Sequence, residues 1–358
     1  MGILRTLLAL SVVLAHSSSL FGIELVGGQL AVQSFYMISG FYMTMVLNEK
    51  YVAANSSYKL FITNRILRLL PVYWVVLVLA VLLSLIIFFD DNSSILTPFH
   101  MFQEFGNVMS IPSIIFIIIA NLITLFQDWI VFLGLNLSTG GLFFTSSFLD
   151  TNPLLYKFLF IPQAWTIGVE ITFYLIAPFI VRRKLKLIIV LIISSVLLRI
   201  LLMQNGFNHD PWTYRFFPTE LVFFLLGTIA FHLYKKVSKQ KISKNILIGI
   251  YCFVFLSTFI YSRIDMEYKM ICYLVIFLCS MPFVFLLSKN WKIDRYIGEL
   301  SYPIYISHML VSTFITYFKV PLYGGKTFIL VLITIILSVI LNELVAKKVE
   351  VIRQKRIK

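Results

Sequence analysis

The sequence predicts an all-α, polytopic membrane bundle of about ten transmembrane helices with both termini in the cytoplasm. Three observations lead there. Of the 358 residues, 59% are hydrophobic and only 13% charged, and the mean hydropathy is +0.92. A soluble domain cannot bury that much apolar surface, whereas a bilayer takes up about 20 apolar residues in each spanning helix. Apolar runs recur from end to end, and no polar stretch is long enough for a second globular domain. Finally, the basic residues are distributed by side. Segments 1–5, 48–68, 182–186, 235–244, 288–299 and 347–358 hold 23 Lys and Arg, while the intervening loops hold 6 and Arg199 lies alone inside a span. That split is the positive-inside pattern. It assigns the net charge of +14 to topology and argues against a nucleic-acid partner.

Taken in order, the predicted spans are 4–21, 29–47, 69–89, 164–181, 187–203, 216–234, 245–261, 270–287, 300–319 and 327–346. Residues 1–20 are read as an uncleaved first span rather than a signal peptide. Residues 111–127 are strongly apolar, but 130–149 are interrupted by Asn136, Ser138, Thr139, Gly140 and Gly141. Two cytoplasmic ends require an even number of crossings, so this region is expected to be a re-entrant or surface-lying excursion, with a double crossing and twelve spans as the alternative. Residues 1–346 then form one membrane domain and 347–358 a basic cytoplasmic tail. Cys252, Cys272 and Cys279 all fall in apolar spans without ligand spacing, and no metal is expected. A multi-pass protein of the inner, cytoplasmic membrane follows, with membrane lipids as its surroundings.

Within this apolar chain the polar residues at membrane depth carry the functional information, because each is costly unless compensated. Arg5 and His16 are eleven residues apart. At about 100° per residue they share one helix face, roughly 16 Å apart along the axis. A cation near the surface and an imidazole deeper in suit a long substrate with an anionic head; a snorkelling arginine and a hydrogen-bonded core histidine are the plainer alternative. Arg65 and Arg68, before Leu69-Leu70-Pro71, are neighbours on one face at the cytoplasmic entrance of the third span. With Arg5 they place three guanidiniums at one surface, able to grip phosphates bidentately or to contact lipid headgroups. Trp165 to Tyr174 carries Glu170 several residues into a span that enters from the other side. The expected depth matches that of His16, so a buried carboxylate–imidazole pair is predicted. Tyr302, Tyr305 and His308 step along one stripe of the 300–319 span, with His308 as either a substrate contact or a structural hydrogen-bonding group. Ser39-Gly40-Phe41 reads as a close helix-packing site. Glu220 and Arg215 read as an interfacial pair or as the lining of an outer vestibule.

In this order, the motifs resemble the acyltransferase-3 family of polytopic membrane O-acyltransferases. The Arg-x10-His first helix is matched by Arg5 and His16, and a small-residue second helix by Phe35, Ser39, Gly40 and Phe41. The Arg-x-x-Arg is matched by Arg65 and Arg68, and the Trp-Ser-Leu-x-Val-Glu-x-x-Phe-Tyr motif by Trp165 to Tyr174, with Thr166 and Ile167 as departures. A Phe-Leu-Leu-Gly segment falls at 224–227, and Ser301 to His308 resembles the late Ser-Tyr-x-x-Tyr-x-x-His. The family often has an acidic residue after the first-helix histidine; Ser17 stands there.

The resemblance implies transfer of an acyl group, usually acetyl from acetyl-CoA, to a hydroxyl of a cell-envelope carbohydrate or lipid-linked saccharide. Acyl-CoA is then a substrate and no cofactor is bound permanently. Under that reading Arg5, Arg65 and Arg68 hold the coenzyme A phosphates. His16 is the general base or acyl carrier and Glu170 orients it. Tyr174, Trp165, Tyr302, Tyr305 and His308 are candidates for substrate or oxyanion contact. A polysaccharide flippase, transporter or membrane polymerase is the alternative, sharing the span count and the intramembrane charges.

Overall fold

The computed structural model describes residues 1–51 and 57–356. The last two residues of the predicted tail, and five residues of the basic loop 48–68, lie outside the described residues. Ten helices answer the ten apolar runs: α1 (Gly2–Ala15), α2 (Gly28–Glu49) and α3 (Tyr58–Phe88); after two short helices, α4 (Pro98–Phe105) and α5 (Ile111–Ile123), come α6 (Trp165–Ile180), α7 (Leu185–Gln204), α8 (Phe217–Val237), α9 (Lys244–Ile260), α10 (Lys269–Ser288), α11 (Lys292–Tyr317) and α12 (Lys326–Leu341). Among the described residues eight helices are long and apolar enough to cross a membrane; α1 is shorter, and α11 is more polar than the other nine.

Region 111–149 does not form two further spans. The 13 residues of α5 reach about 20 Å at 1.5 Å each, short of a hydrocarbon core of about 30 Å. After α5 the chain turns through a small antiparallel hairpin, Leu133–Leu135 against Leu142–Phe144. This excursion has its own apolar cluster, which includes Ile117, Ile130 and Phe158. It is fastened to α3 where Tyr73 Oη donates to Asn121 O (2.5 Å) and Trp74 Nε1 to Leu122 O (2.8 Å). The irregular backbone therefore lies against protein, the condition under which it is tolerated in a membrane protein.

The inner bundle forms around α2, α3, α6, α8 and α10, through Phe41, Tyr73, Phe173, Phe224 and Phe277. Helices α2 and α8 approach closely because Gly40 lies on the Phe224 backbone and Gly227 on that of Met37, leaving no room for a Cβ at either. Thr44 Oγ1 bridges to Thr228 Oγ1 at 2.9 Å beside them. By contrast, α7 buries only Ile188 and Ser195 and presents the rest of its apolar surface outward, as a lipid-facing helix must.

Two spans differ from expectation. Helix α1 stops at Ala15 rather than near residue 21, so His16 caps it instead of lying within it. Three serines follow, and Ser17 Oγ bonds back to Val13 O (3.1 Å), an alternative to continuing the helix. At the other end, α12 does not stop before a loose tail. It passes through a π turn, Asn342–Ala346, into α13 (Lys347–Lys355).

The basic loops meet at one end of the bundle. Asp294, in the first turn of α11, accepts the N–H groups of Gly2 (2.7 Å) and Ile3 (3.0 Å). Arg353 Nε of α13 donates to Asn64 O of α3 (2.8 Å), and Arg182 donates to Leu47 O and Tyr51 O (2.5 and 2.6 Å). The start of α1 and the helix after α12 are thus on the same side.

Candidate active site

At that basic end a cavity of about 850 Å³ runs inward between α1, α2, α3, α6, α11 and the π turn. Arg5, Arg65, Arg68, Glu170, Tyr174 and both Tyr302 and Tyr305 line it, so seven predicted residues from four helices converge. Helix α3 begins at Tyr58, three turns before the predicted span, and this extension places Arg65 and Arg68 on ordered helix with Ser57 as its cap. Arg65 is almost fully buried. Its neighbours include the Met43 sulfur (4.0 Å) and the Phe61 ring (5.8 Å to its centroid), and its Nε has no partner among the described residues. Arg5 sits over the Tyr42 ring at 6.0 Å, also with an unpartnered Nε. Among the described residues, Arg5, Arg65 and Arg68 form no ion pair. The recess also holds the carboxylates of Glu170, Asp294, Glu299 and Glu350, but none forms a salt bridge with these three guanidiniums, which leaves them open to an anionic occupant.

Glu170 is at the inner part of this cavity, and its partners are not those expected. Its Oε1 accepts from Ser39 Oγ (2.6 Å) and from the Tyr174 hydroxyl (2.5 Å). The predicted His16–Glu170 pair is not formed: α1 ends too early, and the carboxylate is claimed by a hydroxyl one turn along its own helix and by one on α2. Ser39 thus has a polar role besides the close packing expected of its segment.

Both imidazoles lie outside the cavity lining. His16 and His308 are paired, their ring centroids 5.1 Å apart. His16 Nδ1 meets Val12 O (2.9 Å) and His308 Nδ1 meets Tyr305 O (2.6 Å). A backbone carbonyl can only accept, so each ring carries a proton on Nδ1, and Nε2 is the nitrogen that accepts when the ring is neutral. His16 is exposed, whereas His308 is fully buried with Nε2 unpartnered. Tyr305 connects the two regions: it lines the cavity, and its ring is 6.1 Å from that of His308.

The tyrosines are less available as oxyanion donors than the sequence suggested. Tyr302 donates to Leu69 O (2.9 Å), Tyr305 donates to Gln163 O (2.9 Å) while accepting from Thr166 Oγ1 (2.8 Å), and Tyr174 donates to Glu170. Each hydroxyl hydrogen is already committed. Trp165 is not on the cavity; it packs edge-to-face with Tyr214 (4.8 Å) and lies under the Arg215 guanidinium (4.6 Å). Arg215 in turn pairs with Asp210 (2.8 Å), not with Glu220. Glu220 is buried against Arg199 (2.5 Å), the one arginine inside a predicted span. Sequence reasoning missed Asn342 and Arg353 as cavity residues. Arg353 was hidden among the charges that report topology, and Asn342 carried no signal in an otherwise apolar run.

The family model described as an acyltransferase domain matches residues 1–343, nearly the whole chain. The chain belongs to the acyltransferase-3 family. It is also 27% identical over 203 residues to a protein of Aquifex aeolicus (strain VF5) named only as uncharacterized, covering 54% of this chain and 89% of that one. No solved structure matches. Among the described residues of this family member, the predicted site residues gather at the cationic cavity and at the histidine pair.

Proposed function

We propose that the protein transfers an acyl group, acetyl in the simplest case, from acyl-CoA to a hydroxyl of a cell-envelope carbohydrate at the inner membrane. The observation that carries this reading is the cluster of Arg5, Arg65 and Arg68, without carboxylate partners, on a cavity whose lining reaches Tyr305 next to the histidine pair. The three guanidiniums hold the donor phosphates at the basic end, and the pantetheine arm extends along α1 with the thioester leading. His16, exposed and carrying its proton on Nδ1, takes the acceptor hydroxyl proton at Nε2. The acceptor oxygen then attacks the thioester carbonyl; the C–O bond forms as the C–S bond breaks, and the imidazolium returns the proton to the leaving thiolate. Val12 O, rather than Glu170, fixes the tautomer. Glu170 acts as a positioning residue, tying α2 to α6 beside the donor arm. The same geometry accommodates His16 as a transient acyl carrier.

The test is mass spectrometry of surface polysaccharide from cells with the gene, without it, and with His16→Ala. An acyl mass present only with the intact gene is expected, since losing a general base costs about 10²–10⁴-fold. Unmodified polymer in all three strains, with altered length or export, would instead support a flippase or polymerase.

A further inference from the structure

The family match ends at residue 343, yet the cavity wall does not. Three observations concern the stretch beyond. First, the passage from α12 to α13 is a π turn, Asn342–Ala346, a helix irregularity that often marks functional sites because the extra residue re-aims side chains. Second, Asn342 lines the cavity, is 1% exposed, and its Nδ2 donor has no partner among the described residues. A buried amide without an acceptor is costly and accounts for itself if a ligand supplies one. Third, Arg353 lines the same cavity and is held rigidly: Nε donates to Asn64 O (2.8 Å), next to Arg65, and Nη1 binds Glu350. Among the described residues Nη2 makes no hydrogen bond.

We propose that the π turn and α13 form a phosphate-binding wall of the donor cavity, with Arg353 as a ligand of the donor's terminal phosphate and Asn342 donating to an acceptor farther along the same molecule. This rests on the acyl-CoA reading above. The charges are arranged for it. Arg353 and Arg68 face a common space that Glu299 also lines, and among the described residues the one carboxylate in a salt bridge with either is Glu350, itself nearly half exposed. Arg353 is anchored before any ligand arrives, so little side-chain entropy is lost on binding. A planar guanidinium with one edge fastened and one nitrogen free suits a phosphate oxygen better than a flexible lysine does.

The anion could instead be a lipid headgroup, and the experiment separates the two. Affinities of coenzyme A and of dephospho-coenzyme A, which lacks the 3′-phosphate, are measured for the full chain in nanodiscs of phosphatidylcholine and of phosphatidylglycerol. Wild type is expected to bind coenzyme A about tenfold more tightly, one charge-assisted hydrogen bond's worth, and R353Q to bring the ratio below about twofold in both lipids. N342L is expected to weaken both ligands in equal proportion. If R353Q lowers both affinities and keeps the ratio, Arg353 is a structural clamp and the proposal is wrong. If the ratio is near one in wild type, and phosphatidylglycerol alone distinguishes wild type from R353Q, the wall binds lipid. Binding of neither ligand by wild type would overturn the donor reading itself, a result separable from the other two.

Discussion

At the scale of single residues, Arg65 is where cost and use are most clearly opposed. A guanidinium almost fully withdrawn from water, with a thioether and an aromatic ring as neighbours, is a liability in the ligand-free protein. Replacing it with an apolar side chain of similar length should therefore not weaken the fold. We expect R65M to melt at the same temperature as wild type or higher in detergent, while the KM for acyl-CoA rises about tenfold or more, the loss of one or two hydrogen bonds to a charged group. A clear drop in melting temperature with an unchanged KM would assign Arg65 to structure. Residue-scale chemistry was only partly legible in the sequence. Arg5, Arg65 and Glu170 stood out because ionisable groups are rare in such a chain, but the partner of Glu170 depends on where α1 ends. Ser17, the first of three serines, sets that end by bonding back to the helix, and an apolar-run count does not register it.

At the scale of elements, the α2–α8 contact organises the cavity. Gly40 and Gly227 let the two backbones touch, and the neighbouring Ser39 consequently reaches Glu170. A Cβ at position 40 would meet the Phe224 carbonyl, which is backbone and cannot move aside alone. We expect Gly40→Val to cost about 1–3 kcal/mol through forced separation, and to reduce acyl transfer even at temperatures where the variant is folded. Thermal melting and transfer assays on one preparation check this; full stability with full activity would show that the contact is incidental. The ten apolar runs each gave a helix because hydrophobic length alone decides that outcome in a bilayer. The extension of α3 to Tyr58 and the continuation into α13 were not visible. Both are amphiphilic, and their helicity comes from a cap at Ser57 and from packing of Arg353 on α3.

At the scale of the whole molecule, the charge asymmetry read from the sequence becomes a single basic face, with the start of α1, the start of α3 and α13 gathered at the cavity mouth. This makes topology testable without reference to activity. Ser243, before α9, and Asn205, after α7, are both exposed and lie on opposite sides by that assignment. In spheroplasts, Asn205→Cys should react with a membrane-impermeant maleimide at once and Ser243→Cys only after permeabilisation. The native cysteines Cys252, Cys272 and Cys279 lie on α9 and α10 and would face lipid. The reverse pattern would turn the cationic cavity away from the cytoplasm and contradict the proposed use of acyl-CoA.

Tyr305 gives the architecture a further meaning. Its hydroxyl is tethered from two sides by Thr166 and the Gln163 carbonyl, and its ring packs edge-on to Phe35 at 6.5 Å. A bilayer that stores a protonmotive force cannot accommodate a continuous wet path through one of its proteins. A cavity deep on one side, with a tethered aromatic ring between its lining and the imidazoles, would act as an electrical insulator: under the proposed reaction a thioester carried on a chain of methylenes and amides reaches past that ring to His16, while hydrated ions do not.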